Sequence, residues 1–241
     1  MSITVNEPKE AFPYRPPSKF ILEKYSHIFE IKEKLPSRWF KLIFDKLVSI
    51  VLLLIGLPIL ILLQIAYIIE GFLIPENKGP LIFSYNAVSA GKTFPKFKIR
   101  IIKQSAIDIE AASRGEWIAY SGEWNPKNRT YVGSFVKKFY LDEIPQLFNI
   151  LSGTMSIVGP RPLAILHYER DLKQGNITRK LLKGGLLGLG HIMKGKPDFG
   201  DPIYEYEYIH KYLNSTDLGL LILDLKIIYR GLIVVSKGKG L

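Results

Sequence analysis

Residues 47–69 carry no charged side chain across 23 positions, LVSIVLLLIGLPILILLQIAYII. As a straight helix the segment would extend about 35 Å, enough to cross the hydrocarbon core of a bilayer. A chain of 241 residues has room for one sizeable domain besides, and a helix apolar on every side is poorly matched to the core of so small a domain. The segment therefore reads as membrane-embedded. Gly56 and Pro58 stand at its middle. Proline lacks the amide donor and its ring crowds the preceding turn, so a kink is expected there. Two topologies follow: a helix that crosses, and one that bends and returns to its side of entry. Arg38, Lys41 and Lys46 precede the segment while Glu70, Glu76 and Lys78 follow it. That distribution puts the front end in the cytoplasm and leaves the back end open.

Lysine and arginine outnumber the acids 33 to 22, a formal net charge of +11. The excess points to an anionic partner: nucleic acid, acidic lipid or a phosphorylated substrate. With no cysteine, disulfides, thiolate metal sites and a cysteine nucleophile are excluded. The first thirty residues lack the apolar core and cleavage site of a secretory signal. The four histidines, at 27, 167, 191 and 210, have no metal-ligand spacing.

Three regions follow: an N-terminal extension over 1–37, a membrane region over 38–76 and a globular domain over 77–241. The extension, with prolines at 13, 16, 17 and 36, has one short helix expected around 20–34. GPLIFSYN at 79–86 reads as a strand and FPKFKIRII at 94–102 as a second, basic extended segment. Residues 104–130 read as loops. VGSFVKKF, from Val132, begins a helix. LDEIPQLFNILSG is a second helix start with Asp142 as candidate cap, its apolar residues Ile144, Leu147, Phe148 and Leu151 at helical spacing and Gly153 as a stop. Residues 217–235 are apolar but carry four charges, so a helix lying in the interface or against the core is favoured over a second crossing.

The candidate chemistry lies in a few side chains. Asp142 and Glu143 are adjacent carboxylates at a helix start, where unpaired amides favour negative charge and Pro145 is tolerated. Such a pair can supply a nucleophile or hold a hard cation such as Mg²⁺, and it can equally be a cap with a first-turn acid. In Gly159-Pro160-Arg161-Pro162, two prolines stiffen the backbone around a guanidinium, which suits bidentate contact with phosphate or carboxylate; a structural turn with a surface arginine is the alternative. Lys96 and Lys98 share one face of a strand, either as an anion-binding face or as the wet side of a sheet. Lys137 and Lys138 lie shortly before the acidic pair, where solvation is the ordinary outcome.

Taken in order, these pieces resemble the bacterial sugar transferases, the monotopic polyprenyl-phosphate phosphoglycosyl transferases, from about residue 40 to 229. FKLIFD at 40–45 is similar to that family's basic entry to its hydrophobic helix. GKTFPKFK at 91–98 is similar to its basic segment, shortened by two residues. WNPKNRTYVGSFVKKFYLDEIPQLFNILSGTMSIVGPRP at 124–162 is the strongest match, and LDLKII at 223–228 fits the C-terminal signature. The resemblance implies an α+β, mostly helical, monotopic protein. Its hydrophobic helix would be re-entrant, bent at Pro58, and its small cytosolic catalytic domain would have amphipathic interfacial helices. It implies that Asp142 attacks the sugar-proximal phosphate of a UDP-sugar, UMP leaves, and polyprenyl phosphate then takes the phosphosugar, with Mg²⁺ offsetting the diphosphate charge. Glu143 would be the partner of Asp142 toward metal or lipid phosphate. Arg161, Lys96, Lys98 and Lys137 would hold phosphate. The expected setting is the cytoplasmic face of a bacterial inner membrane, with membrane lipids but no nucleic acid as partners and a homo-oligomer left open.

This chain departs from the family pattern at several positions. Lys137 stands where arginine is usual, Tyr140 replaces a small hydroxyl residue, and Leu57 replaces a serine. Asn125 replaces an aspartate, and Lys183 and His191 alter the glycine-rich stretch KGGLLGLGH. An inactive relative acting as a membrane-bound assembly partner, and a tethered binder of nucleic acid or anionic lipid, are the rival readings. Release of UMP from a UDP-sugar separates the enzyme from both.

Overall fold

A computed structural model describes residues 14–193 and 197–236. In place of the single helix expected over 20–34, two short ones form, α1 (Lys19–Lys24) and α2 (Ser26–Phe29). Ser18 caps the first by accepting from the Ile21 amide. The next, α3 (Trp39–Leu73), is one 35-residue helix with Pro58 inside it, about 50 Å long. Proline removes a backbone hydrogen bond there, but no loop interrupts the helix. Gly56 has a separate part: a Cβ at this position would stand 3.2 Å from Ile144 Cγ2. Its bareness lets α3 lie close against the turn that carries the acidic pair.

Strands β1 (Ile82–Ser89) and β2 (Lys92–Ile99) form an antiparallel hairpin registered from Ile82↔Ile99 to Ser89↔Lys92. Ala90 and Gly91 make the turn at φ 48° and 71°. Two-residue turns of this hand need positive φ at both positions, and glycine supplies one without strain. The first strand thus begins and ends three residues later than expected. Residues 104–130 hold short 3₁₀ turns and one helix, α4 (Ile109–Ser113). Then come α5 (Tyr131–Lys138), capped by Thr130, and α6 (Gln146–Leu151). The remaining elements are β3 (Met155–Val158), β4 (Leu163–Ala164), α7 (Ile165–Lys173), α8 (Thr178–Leu181), β5 (Gly184–Leu187), α9 (Ile203–Asn214) and α10 (Asp217–Ser236). Strand β4 adds antiparallel to β1, giving the order β2-β1-β4, while β3 and β5 pair in parallel. The class is α+β and mostly helical, as expected.

The way α3 is held positions everything else. Its buried residues Asp45, Ser49, Leu53, Gly56, Leu60, Leu63, Tyr67 and Glu70 recur every three or four positions, a single stripe along the helix. An acid closes each end of that stripe, and both are hydrogen-bonded to the domain. Asp45 accepts from Ser156 Oγ at 2.6 Å and from the Ile157 amide at 3.2 Å. Glu70 accepts from the Tyr131 and Val132 amides at 2.6 and 3.2 Å and from Asn77 Nδ2 at 2.8 Å. A carboxylate on the first amides of α5 suits the positive end of that helix. The other faces of α3 are bare: Trp39, Phe40, Leu54, Ile61, Leu62 and Phe72 are exposed, the last at 85%.

Helix α10 flanks the front of α3. Lys41 Nζ lies 2.6 Å from Asp224 Oδ2, and Arg38 Nε donates to Asp217 Oδ1 at 2.6 Å. Leu220, Asp224 and Ile227 are buried while Leu218, Leu225, Tyr229 and Leu232 face outward. Packing against the core with an apolar outer face is the arrangement expected for this segment.

Candidate active site

Strand alternation puts Lys96 and Lys98 on one face of β2, and that face is covered, with the two lysines 1% and 6% exposed. The wet-side alternative fails because α6 lies across the strand. Asn149 on α6 donates through Nδ2 to the Pro95 carbonyl at 2.9 Å and accepts from the Phe97 amide at 3.1 Å, bracketing Lys96 on both sides.

Asp142 is not a helix cap. It sits in a 3₁₀ turn, Leu141–Glu143, and α6 begins only at Gln146, behind Pro145 and without a side-chain cap. The short turn and Pro145 delay the α-helix until after the acidic pair. Asp142 Oδ2 lies 2.9 Å from Lys98 Nζ. Tyr140, just before the turn, is held in the left-handed region at φ 57°, which costs a non-glycine residue on the order of 1 kcal/mol. Such strain at the residue leading into the acidic pair marks a turn fixed by its surroundings.

Glu143 Oε1 lies 2.7 Å from Arg161 Nη2. The turn carrying Arg161 is tied down from beneath. The Gly159 amide donates to Leu187 O and the Gly185 amide to Pro160 O, both at 2.8 Å, and Arg179 Nε donates to Arg161 O at 2.8 Å. A Cβ on Gly185 would stand 2.1 Å from the Gly159 nitrogen. The glycines of the KGGLLGLGH stretch therefore let two backbones touch under the arginine. Arg179 is itself buried between Asp171 and Glu205, each at 2.6 Å.

One further acid joins the cluster. Glu123 is buried, with Oε2 3.8 Å from Lys98 and Oε1 3.6 Å from Lys137, so it bridges the two lysines. Lys137 also lies over the Trp124 ring at 5.5 Å. It meets the cluster through Glu123 rather than through the acidic pair.

The charges are unequal in their surroundings. Burial, reinforced by Arg161, lowers the Lys96 ammonium from 10.5 to about 7. Burial also opposes the charge of Lys98, but Asp142 and Glu123 outweigh it and hold that lysine above its ordinary value. Burial would raise Glu143, yet Arg161, Lys96 and Lys98 overcome it and keep the carboxyl well below the usual range. Near neutral pH the cluster thus holds one lysine firmly charged and one poised to gain or lose its proton.

All these groups line one cavity of about 500 Å³. Its aromatic walls include Tyr85, Trp117, Trp124 and Phe139. Its apolar lining comes from Leu52, Ile55, Gly56 and Ile59 of α3 and from Ile228 and Leu232 of α10. Tyr14, from the N-terminal extension, forms part of the wall.

A description of bacterial sugar transferases matches residues 36–238. The chain belongs to that family. It is 29% identical over 243 residues to the undecaprenyl-phosphate galactose phosphotransferase of Salmonella typhimurium strain LT2, covering 95% of this chain and 49% of the relative. It is 33% identical over 205 residues to a UDP-glucose:undecaprenyl-phosphate glucose-1-phosphate transferase of Klebsiella pneumoniae, covering 83% of this chain and 40% of the relative. A putative undecaprenyl-phosphate N-acetylgalactosaminyl 1-phosphate transferase of Bacillus subtilis is 32% identical over 175 residues, 71% of this chain and 89% of the relative. The chain spans about half the length, or less, of the first two.

In this member of the family, Lys96, Lys98, Lys137, Asp142, Glu143 and Arg161 all line the one cavity. Sequence reasoning missed Glu123, Asn149 and Tyr14. Glu123 stands in an aperiodic stretch with no local signal. Asn149 is indistinguishable from any polar helix residue until β2 is seen beneath it.

Proposed function

We propose that the chain transfers a sugar-1-phosphate from a UDP-sugar to polyprenyl phosphate, releasing UMP, at the cytoplasmic face of a bacterial inner membrane. One observation carries the reading. Carboxylates flanked by cations and the apolar middle of α3 line the same cavity, so a charged diphosphate and a lipid-borne phosphate can meet there. The relatives' printed activities support the same reaction class.

Arg161, Lys96 and Lys98 would neutralise the diphosphate, the planar guanidinium giving a fixed fork and the lysines point charges. Asp142, held in place by Lys98, would attack the sugar-proximal phosphorus through a carboxylate oxygen. The bond to UMP breaks and UMP leaves with the electron pair, so an acyl phosphate remains on Asp142. An oxygen of polyprenyl phosphate then attacks that phosphorus and restores the carboxylate. The aromatic walls offer faces for the base and sugar.

Mg²⁺ fits the donor chemistry. Adjacent carboxylates with substrate phosphates and water complete the octahedral oxygen set that this ion takes. Among the described residues no group of three or more histidine or acidic side chains would hold a cation unaided, so a substrate-completed site is the form that suits. Asp142 and Glu143 would hold the ion, which would offset diphosphate charge.

The hydrogen bonds at both ends of α3 also favour a monotopic arrangement. A helix anchored to one domain at Asp45 and at Glu70 would keep both flanks on that domain's side of the membrane, with its bare outer faces in the lipid.

The test uses labelled UDP-sugar without lipid acceptor. Wild-type protein should gain one phosphosugar on Asp142 with a stoichiometric burst of UMP. Asp142→Asn should fold yet give neither. Transfer that needs both substrates at once, with no adduct and no burst, would refute the two-step route; no UMP from any UDP-sugar would refute the enzyme reading.

A further inference from the structure

A second cavity, of about 390 Å³, lies at the front of α3. Strand β3 separates it from the catalytic one: Ser156 and Val158 line the new cavity while Ile157 between them lines the other, as strand alternation requires. Its wall holds five cations, Lys34, Arg38, Lys41, Lys92 and Lys183, and one acid, Asp45. Arg38 and Lys41 are neutralised by Asp217 and Asp224, each at 2.6 Å. Lys34, Lys92 and Lys183 form no salt bridge among the described residues, Asp45 acting on Lys183 only at longer range.

Lys183 is half-buried and reaches toward Gly153, where a Cβ would stand 3.9 Å from its Nζ. Burial depresses this ammonium; Asp45 opposes that effect, and Lys34, Lys46 and Lys41 add to it. Like charge therefore crowds Lys183 from several directions. A concave wall with three ammonium groups outside any salt bridge is a favourable place for an anion rich in oxygen. The first turns of α3, which follow Arg38 and supply Lys41, also present Trp39, Phe40 and Ile43 to the outside. The cavity thus sits where the apolar helix begins, at the depth of lipid headgroups for a helix lying in a membrane.

We propose that this cavity binds a phosphate group apart from the catalytic site, carried by an anionic lipid headgroup or by a soluble phosphate compound, with Lys34, Lys92 and Lys183 as its ligands. The exposed aromatic and apolar neighbours favour the lipid source. The proposal does not rest on the transfer reaction, and its test needs no turnover.

The full chain in neutral detergent is titrated with dioctanoyl phosphatidylglycerol, dioctanoyl phosphatidylcholine and inorganic phosphate while its thermal unfolding is followed. Phosphatidylglycerol should raise the melting temperature saturably and phosphatidylcholine should not. An equal response to inorganic phosphate assigns the soluble source, and its absence assigns the lipid. The midpoint concentration should rise about fivefold for each lysine removed in Lys183→Gln, and in Lys34→Gln with Lys92→Gln, which alters two exposed side chains and so spares folding. The exposed control Lys173→Gln should leave it unchanged. The response should persist in Arg161→Lys, since Arg161 does not line this cavity. No saturable response to either anion, an unchanged midpoint in the lysine variants, or a response lost in Arg161→Lys but kept in Lys183→Gln would each overturn the proposal.

Discussion

The phosphate-binding role proposed for Lys96 would set function against stability, and Lys96→Met measures both. The lysine is 1% exposed, and burial with Arg161 and Lys98 brings it from 10.5 to about 7. Between those values the unfolded chain holds a proton that the folded protein sheds, so the stability contributed by this group rises with pH across that window. At about 1.4 kcal/mol per unit, keeping the lysine in place costs roughly 4 kcal/mol at pH 7 and roughly 2 kcal/mol at pH 9. Methionine matches the length without the charge. With a slope of about 2–4 °C per kcal/mol for a chain of this size, Lys96→Met should melt roughly 8–16 °C above wild type at pH 7, and the gap should shrink by about half at pH 9. Unfolding followed by intrinsic fluorescence in one detergent at both pH values reads it directly. Release of UMP should fall about 10–100-fold in the same variant, the worth of one charge-assisted hydrogen bond to phosphate. A variant that melts below wild type at pH 7, or a gap that does not change with pH, would refute the assignment of Lys96 as a strained, substrate-facing cation.

The same logic gives a pH profile: KM for the nucleotide-sugar should rise as pH climbs through about 7 in wild type and stay flat in Lys96→Met. Arg161→Lys keeps charge but loses the fork, so turnover should drop at least about tenfold in a steady-state UMP assay. Glu123→Gln removes the bridge between two buried lysines and should lower stability by about 3–5 kcal/mol, read as a shift in melting temperature. Because the chain has no cysteine, Ser37→Cys and Glu76→Cys can each be labelled alone in whole cells. Neither should react with an impermeant reagent from outside; reaction at position 76 would mean that α3 crosses.

What was legible in the sequence is what depends on near neighbours. The alternation of Lys96 and Lys98, the stiffness around Arg161 and the apolar run of α3 are all encoded within a few residues. The burial of the two lysines was not, because their cover is Asn149, about fifty positions away on α6. Asp142 read as a cap because the helix pattern begins near it; the 3₁₀ turn and Pro145 that postpone the helix are a contest between local geometries that spacing does not decide. Asp45 and Glu70 read only as charges bounding an apolar segment, whereas each is hydrogen-bonded to backbone amides far along the chain. Glu123 had no pattern to be found by.

Those two acids have a consequence for biogenesis. The backbone-amide partners of Glu70 are made 61 and 62 residues after it, and the partners of Asp45 on β3 are 111 and 112 residues after it. At a synthesis rate of about 5–20 residues per second, the front of α3 waits roughly 5–20 s for its anchor. On the proposed one-sided arrangement, the nascent chain would offer the bilayer an apolar helix before its β3 anchor exists, and topology would be settled by a race between insertion and the arrival of residues 131–157. Slowing translation between α3 and β3 should leave a measurable share of the protein stranded across the membrane, while identical chains made at normal speed fold onto one side.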